Sequence, residues 1–296
     1  MIGHVWAWIA AAPAAAEPEP SLGDMIMHHV TDSHVWEAPW GIVQLPRWRP
    51  IHIGGASIDF SPTKHVIMML IAAALLCVIM IWTAQRTHGR TRERAPSGLA
   101  NMLEALVIFI RDEVALANIG HGGEKYVPYV LSLFFFVLFC NLLGLLPWLA
   151  TPTGNISVTA TLAVLSLIII EVSGFLTLGP KGYARTIFYA PEGMGPVGKS
   201  LMLVIMTPVE LLGKLAKPFA LAIRLFANMN AGHFVVLALI GLAVASRPIW
   251  ATVVPWAAPI VMAVAIMLLE LFVAVLQAYI FAMLTSVFIG LIRHAH

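Results

Sequence analysis

Long apolar segments alternate with shorter polar ones along most of this chain. The first covers residues 65–84, close to the ~20 residues that a helix needs to cross the hydrocarbon of a bilayer. Two more segments of that kind cover residues 126–148 and 156–178. We therefore predict three membrane-spanning helices before Gly179.

The last two apolar regions, 207–245 and 260–292, are longer. At 1.5 Å per residue they form helices roughly 58 and 50 Å long, whereas the hydrocarbon layer is only about 30 Å thick. Tilts of about 50–60° from the membrane normal bring both lengths into the hydrocarbon. We predict two long, strongly tilted helices joined by the short loop SRPIWATVVP at 246–255, which makes five membrane crossings.

Residues 97–118 combine apolar and charged side chains in a way that argues against a span. Five apolar residues lie near one helical stripe: Leu99, Leu103, Leu106, Ile110 and Leu116. The charged residues lie largely elsewhere: Glu104, Arg111, Asp112 and Glu113. Such a helix buries one face and leaves the other in water. The pattern predicts one amphipathic helix at the membrane surface.

Composition agrees with an all-α membrane protein. Of the 296 residues, 60% are hydrophobic and only 11% are charged, compared with about 25% charged residues in a typical soluble domain. The formal net charge of +2 is too small to suggest a nucleic-acid partner. Cys77 and Cys140 lie in apolar segments and match no disulfide or zinc spacing. Bilayer lipid is the solvent that such a chain requires.

Basic residues predict the orientation of the chain. Four arginines directly follow the first span: Arg86, Arg90, Arg92 and Arg94. Such a cluster indicates the cytoplasmic side of a membrane. The loop at 179–199, which holds Lys181, Arg185 and Lys199, falls on the same side after two more crossings. We therefore expect the N-terminus outside the cytoplasm and the C-terminus inside it.

The N-terminal part differs from the rest, and we divide the chain into an extracytoplasmic extension at 1–60 and a membrane channel domain at 61–296. Residues 17–60 are polar and rich in His and Trp but show no tight ligand spacing, which favours a solvated or interfacial segment. Residues 1–20 end in an Ala-rich, cleavage-like stretch. They lack the Lys or Arg that precedes the apolar part of a signal peptide. A cleaved signal and a weakly ordered extension are both open.

Charged residues inside an apolar region are costly and indicate function by default. In the fourth apolar region, Glu210, Lys217 and Arg224 follow one another at intervals of seven residues. Seven residues fall about 20° short of two full helical turns, so the three side chains share one face. Asn228 and Ala231 continue this face.

Arg224 is set apart by its depth in the apolar region. Its guanidinium does not lose the proton in proteins, and no acidic residue lies within four positions on its own helix. The partner of Arg224 therefore comes from another helix or from another protein. A structural salt bridge with Glu270 is the alternative to a functional role.

The polar residues around Arg224 divide into two sets. On the cytoplasmic side, Glu210 lies about 21 Å away along the helix and is placed to pair with Lys214, although the lysines can also snorkel to the headgroups. On the outer side, His233 and Glu270 lie at similar depth on neighbouring antiparallel helices, so their side chains can meet and pass protons. Two polar sets separated by a fixed positive charge are the layout of two half-channels blocked from each other.

The stretch PVELLGKLAKPFALAIRLFANMNAGH at 208–233 closely resembles the signature of the F-type ATP synthase a subunit family. Further similarities are NLLGLLP at 141–147, the loop TPTGN and LLELFVAVLQAYIFAMLTSVFI at 268–289. Together they cover most of residues 61–292. The resemblance implies a stator subunit of a rotary ATP synthase, whose last two helices pack against a rotating ring of c subunits that carry carboxylates.

The resemblance also implies roles for single residues. It implies that Arg224 attracts the ring carboxylate, makes it release its proton and separates the half-channels, with Gln277 beside it at the ring. It implies that His233 and Glu270 line the outer path; other members carry this acid and this histidine in the reverse order. The remaining matches are the acid of the inner path and the asparagine of the motif: Glu210 and Asn228.

Partners and location follow from the same resemblance. The partners are the c-subunit ring, the b-subunit peripheral stalk, the lipid bilayer and, indirectly, the catalytic head. We expect a bacterial inner membrane, no cofactor or metal, and nucleotide chemistry that lies in partner subunits. The chain departs from many bacterial members at Asn155, where they have an acid, and in residues 1–60, which are longer than usual. At this loop position the chain offers an amide in place of a carboxylate of the outer path.

Two other functions use similar residues. A stand-alone secondary transporter or ion channel also places charges in the membrane, but transporters usually show internal repeats and broken helices, and neither is visible in the sequence. An intramembrane metalloprotease needs a metal motif such as His-Glu-x-x-His in a span, and the sequence has none.

Overall fold

The computed structural model describes residues 31–38, 41–53, 56–59, 61–88, 98–146, 149–188, 195–245 and 254–294. Three sequence features lie outside these ranges. They are the signal-like stretch at 1–20, most of the arginine cluster after the first span, and most of the predicted loop at 246–255.

Two short β-hairpins precede the first span. Strand β1 (Val35–Ala38) pairs antiparallel with β2 (Gly41–Gln44), and β3 (Ile51–Ile53) pairs antiparallel with β4 (Ala56–Ile58). The sequence analysis expected a solvated or interfacial segment here and predicted no strands. Strands of three or four residues are too short to show an alternating pattern.

The rest of the described chain is helical. In chain order the helices are α1 (Lys64–His88), α2 (Leu99–Phe109), α3 (Ala117–Ile119), α4 (Val127–Gly144), α5 (Ile156–Ile187), α6 (Pro196–Ala245) and α7 (Val254–Arg293). Five of them, α1 and α4 to α7, are long and apolar enough to cross a membrane. The predicted all-α membrane architecture with five spans is confirmed.

Helices α6 and α7 are longer than the apolar pattern predicts. They contain 50 and 40 residues, because both begin several residues before their apolar regions. At 1.5 Å per residue they extend about 75 and 60 Å, well beyond the ~30 Å of hydrocarbon. Their strong tilt in the bilayer stays a prediction.

Helix α5 contains a break at Gly179, whose φ of 69° and ψ of 173° lie outside the helical region. Glycine adopts a positive φ at no steric cost, and Pro180 has no N–H to continue the helical hydrogen bonds. The regular helix thus breaks directly after Leu178, where the third apolar segment was predicted to end, although the candidate span continues to Ile187. The predicted loop at 179–199 is partly wrong, because residues 180–187 are helical and α6 begins at Pro196.

The predicted amphipathic stripe is only partly correct. Leu103 and Ile110 are buried, whereas Leu99 is 64% exposed. A π-helical turn at Ile110–Leu116 joins α2 to α3, and its i→i+5 hydrogen bonds add one residue to the turn. Beyond this turn Val114 is fully buried and Leu116 only partly so. The position of this helix at the membrane surface stays a prediction.

Buried polar contacts fasten the middle of the bundle. The Asn141 side chain on α4 is fully buried, and its Nδ2 donates to the Ala274 carbonyl of α7 at 3.2 Å. The Thr153 hydroxyl donates to Asn141 Oδ1 at 2.8 Å. Because buried amides are costly when unpaired, these bonds hold the 3₁₀ turn at Pro152–Gly154 against both helices. That turn carries the loop residues that reach the candidate site.

Candidate functional site

Helix α6 presents one exposed polar stripe, as the spacing of seven residues predicts. Glu210, Lys217, Arg224 and Asn228 are all exposed, and Ala231 continues the same face. The next residue after the arginine, Leu225, is only 1% exposed and packs into the core. Arg224 therefore stands on the outer surface of the bundle.

Arg224 has no ion-pair or hydrogen-bond partner among the residues that the structure describes. Its surroundings on this surface are apolar: Phe219 is 67% exposed and Ile223 is 41% exposed. The alternative interpretation, a structural salt bridge with Glu270, does not match this geometry, because Glu270 pairs with His233. An exposed, unpaired guanidinium can bind an anionic group of another molecule.

One polar cluster, the His233 cluster, consists of His233, Glu270, Thr151 and Asn230. His233 Nδ1 lies 3.0 Å from Glu270 Oε1 and 3.2 Å from the Met229 carbonyl oxygen. His233 Nε2 lies 3.2 Å from Thr151 Oγ1. The side chains of His233 and Glu270 thus meet, as their predicted depths suggested.

The contacts of His233 indicate which ring nitrogen carries the proton. When Glu270 is ionised, both neighbours of Nδ1 are acceptors, so Nδ1 is the protonated nitrogen. Nε2 then accepts from the Thr151 hydroxyl, or donates to it when the imidazole is doubly protonated. Glu270 is only 7% exposed, so this pair can hold and exchange a proton away from bulk solvent.

The sequence analysis missed Thr151 and Asn230. Asn230 Nδ2 donates to the Gly154 carbonyl at 3.0 Å and to the Phe226 carbonyl at 3.1 Å, which ties α6 to the loop after α4. No local pattern marks either residue, because their partners are distant in the chain.

A second polar region, the Glu171 cavity, lies on the other side of Arg224. It has a volume of about 130 Å³, and its polar lining includes Glu171, Glu210, Lys214 and Lys217. Lys214 Nζ lies 3.2 Å from Glu171 Oε2, and the Tyr183 hydroxyl donates to the same oxygen at 2.5 Å. The cavity thus gathers two carboxylates and two ammonium groups between α5 and α6.

The predicted pairing of Lys214 with Glu210 is wrong. Glu210 is exposed, whereas the Lys214 side chain is only 12% exposed and points to α5. There the ammonium meets the Glu171 carboxylate and also lies 4.7 Å from the centre of the Tyr183 ring. Burying an ammonium group is costly unless a counter-charge compensates it. An exposed ion pair with Glu210 would contribute little stabilisation, so the lysine pairs with the less exposed Glu171.

Gln277 lies on α7 at the level of Arg224. Two contacts give the register of α6 and α7. Gly232 packs directly against Glu270, and Lys217 Nζ lies 4.8 Å from the centre of the Phe288 ring. Because the earlier residue of α6 meets the later residue of α7, the two helices run antiparallel. This register places Gln277 opposite Leu225. Gln277 is 6% exposed, and its amide makes no hydrogen bond within the described part of the chain.

The two polar regions are separate. His233 lies about 14 Å from Arg224 along α6, and Lys214 lies about 15 Å away in the opposite direction. A small cavity beside His233 and the Glu171 cavity share no lining residue. The arginine thus stands between two polar regions that do not join.

The sequence GMGPVGKS at 193–200 has the Gly-x-x-x-x-Gly-Lys-Ser spacing of a phosphate-binding loop, so the expectation from sequence that the chain has no such pattern is wrong. Such a loop needs a strand before it and a helix after its lysine. Helix α6 begins at Pro196, so Gly198 and Lys199 lie inside the helix. The preceding described element is the helix α5 and not a strand, and the Lys199 amide donates to the Gly195 carbonyl at 3.0 Å. The stretch therefore lacks the structural setting of a phosphate-binding loop.

Known proteins resemble this chain over most of its length. Residues 66–290 match the family described as ATP synthase A chain. A protein named ATP synthase subunit a 2 from Chlorobaculum tepidum is 46% identical over 283 residues, which are 95% of this chain and 76% of that protein.

Two other relatives carry the name ATP synthase subunit a. The one from Pelodictyon phaeoclathratiforme is 46% identical over 283 residues, 95% of this chain and 79% of its own length. The one from Anaeromyxobacter dehalogenans is 44% identical over 291 residues, 93% of this chain and 72% of its own length. The described chain has five candidate membrane spans and places Arg224 between two polar regions. Because its match covers residues 66–290, this chain belongs to the ATP synthase A chain family.

Proposed function

We propose that this chain passes protons to and from the carboxylates of a rotating c-subunit ring through two offset half-channels, with Arg224 separating them. As a member of its family, the chain is a membrane subunit of an F-type ATP synthase. The half-channels and the roles of single residues go beyond that membership and rest on the geometry of the site.

The exposed and unpaired guanidinium of Arg224 carries the proposal. Placing an arginine at the centre of a spanning helix costs about 3 kcal/mol on insertion scales. No group in the described part of the chain offsets this cost with a negative charge. A carboxylate presented by a neighbouring subunit does so, and it is held ionised beside the arginine. Arg224 thereby makes each ring carboxylate release its proton as it passes.

The two polar regions supply the paths on either side. His233 and Glu270 serve the outer path; their contact at 3.0 Å, in a largely buried place, supports this assignment. Glu210 serves the inner path, where it lines the Glu171 cavity. Asn228 is exposed one turn from the arginine and contacts the ring carboxylate. Gln277 is buried at the level of the arginine, so it reaches the ring carboxylate only if its side chain turns outward.

The same assignment orients the chain and names its other partners. The N-terminus lies outside the cytoplasm of a bacterium and the C-terminus lies inside it, with the chain in the inner membrane. The b-subunit peripheral stalk holds the chain against the ring, and the catalytic head, reached through the stalk, carries the nucleotide chemistry. The chain itself binds no nucleotide.

A stand-alone transporter or channel is the second candidate function. It uses the same charges but needs no partner on the exposed stripe of α6. The two functions therefore differ in what touches this stripe in the membrane.

Photo-crosslinking distinguishes the two functions. Ala231 is exposed on the Arg224 stripe, and Ile168 is 49% exposed on α5. With p-benzoylphenylalanine at position 231, we expect light to join this chain to the small c subunit in native membranes. With the same group at position 168, we expect no such product. A position 231 that yields no c-subunit product in assembled complexes contradicts the stator proposal.

Gly232→Ala tests the contact between Glu270 and His233. A Cβ at residue 232 would lie 2.8 Å from Glu270 Oε1 and 2.8 Å from its Cδ. The flexible carboxylate must therefore move away, which breaks its 3.0 Å contact with His233. We expect normal amounts of assembled complex but several-fold slower ATP-driven proton pumping in inverted vesicles.

Gly213→Ala is the matched control on the same helix, because a Cβ there meets nothing within 4 Å. We expect this variant to pump at the wild-type rate. Equal pumping by both alanine variants would show that the Glu270–His233 contact is dispensable.

A further inference from the structure

We propose that Asp32 and His65 form the outermost part of the outer proton path and deliver protons to His233. This inference rests on the proposed function and adds two residues to its outer half-channel. It also assigns a role to the segment before α1, which the sequence analysis left without one.

His65 lies in the first turn of α1 and is 3% exposed. Its Nδ1 lies 2.7 Å from Asp32 Oδ1, and the Asp32 side chain remains 31% exposed. The Lys64 amide donates to the Ser33 carbonyl at 3.0 Å, which fixes the segment before β1 against the start of α1. Asp32 thus connects solvent to a buried imidazole.

Asn155 holds the Asp32 carboxylate in place. Its Oδ1 accepts from the Ser157 amide and caps α5 at 2.9 Å, so its Nδ2 is the atom that points away from the helix. Nδ2 donates to Asp32 Oδ2 at 2.9 Å. The N-terminal segment thus places a carboxylate directly beside the loop that carries Thr151 and Asn155.

A small cavity connects His65 to the His233 cluster. His65, Thr151, Asn230 and His233 all line it, and its volume is about 10 Å³. That is close to the smallest volume that holds one water molecule. Thr151 Oγ1 already contacts His233 Nε2 at 3.2 Å. A hydroxyl and one water therefore suffice to carry a proton from one imidazole to the other.

The charges around His65 suit this task. Burial acts to raise the pKa of Asp32. The hydrogen bond and charge of His65, together with the Ser33 amide, outweigh this effect and hold the pKa below its usual value, so the carboxyl is ionised at neutral pH. When His65 takes up one proton, the imidazolium is paired with this carboxylate. When His65 passes one proton to a water in the cavity, it returns to its neutral form.

The other groups near His65 come from three parts of the chain. Lys64 precedes it on α1 and is buried, the loop supplies the uncharged Thr151 and Asn155, and α6 supplies His233. The ionisable groups of this region are therefore Asp32, Lys64, His65 and His233.

The test compares His65→Gln and Asp32→Asn with His52→Gln, which changes an exposed histidine of β3. Passive proton conductance is measured in vesicles after the catalytic head is removed, at outer pH values between about 5 and 8, together with the amount of assembled complex. We expect both variants to assemble and to conduct protons several-fold more slowly than wild type, and we expect His65→Gln to change the pH profile of the conductance. We expect His52→Gln to match wild type in rate and profile.

Two results overturn the inference. One is wild-type conductance with an unchanged pH profile in His65→Gln. The other is a loss of assembled complex with an unchanged profile in the complex that remains, which shows a structural role. Arg224→Ala is measured alongside: if it still pumps, the proposed function itself is wrong, whereas if it does not pump and His65→Gln conducts normally, only the Asp32–His65 inference is wrong.

Discussion

Arg224→Ala abolishes ATP-driven proton pumping in inverted membrane vesicles, while the chain still assembles with its ring. This is the largest effect that we expect from a single substitution. Arg224 is exposed and pairs with no residue in the described part of the chain, so its loss leaves no cavity and no orphaned partner. What is lost is the only positive charge between the two polar regions along the described α6. Under the proposed function, the attraction that makes a ring carboxylate release its proton is lost with it.

Three variants and two assays separate this role from a structural one. Arg111→Ala removes an arginine that is 52% exposed and paired only with Asp112 at 3.7 Å, and it pumps like wild type. Arg224→Lys keeps the charge but not the planar guanidinium fork, so it pumps far more slowly than wild type. After the head is removed from Arg224→Ala membranes, the passive proton leak persists or rises. Pumping near the wild-type rate in Arg224→Ala would falsify the stator proposal and favour a stand-alone transporter.

Glu270→Gln slows proton pumping and ATP synthesis on the order of a hundredfold, the lower end of what a positioned proton-transfer group contributes. The amide has nearly the same shape as the carboxyl group, so packing at this 7% exposed position is retained. It cannot take up and release a proton, however, and it removes the negative partner of His233 at 3.0 Å. Passive conductance measured after removal of the head falls with pumping, because the block lies in the path and not at the ring.

An exchange of the two residues tests whether the pair acts as a unit. The double variant His233→Glu with Glu270→His restores the same two groups across the α6–α7 contact, and we expect it to pump much faster than either single variant. Glu124→Gln, which changes an exposed acid in the loop before α4, is the matched control and pumps normally. A double variant no better than the worse single variant would show that the two residues act independently.

Predictions that depend on a single helix agree with the structure. Helix α5 breaks directly after Leu178, where the third apolar segment was predicted to end, because Gly179 and Pro180 interrupt a helix through their own backbone chemistry. The face shared by Glu210, Lys217 and Arg224 follows from the helical period alone. Neither feature requires knowledge of the neighbouring helices.

Predictions that depend on the choice of a partner agree less well. Helical spacing favours Lys214 with Glu210, yet Glu171, 43 residues away, takes the lysine. The π-helical turn after α2 changes which residues face the core, because packing against α4 and α7 outweighs regular helical hydrogen bonding. Asp32 and Asn155, 123 residues apart, meet only because β1, α1 and α5 begin at one end of the bundle.

The sequence by itself determined that this chain has five apolar helices able to cross a membrane. It also determined that Arg224 lies on a polar helical face with no acidic partner nearby on its own helix. Both are local properties, since the length of an apolar run and the helical period need no tertiary contact. The helical depths also indicated that His233 can meet Glu270, as it does. Only the tertiary structure decided the other pairings: Lys214 with Glu171, and His65 with Asp32. Buried charges select partners by proximity across helices, because in a low dielectric a charge is stable only beside its counter-charge.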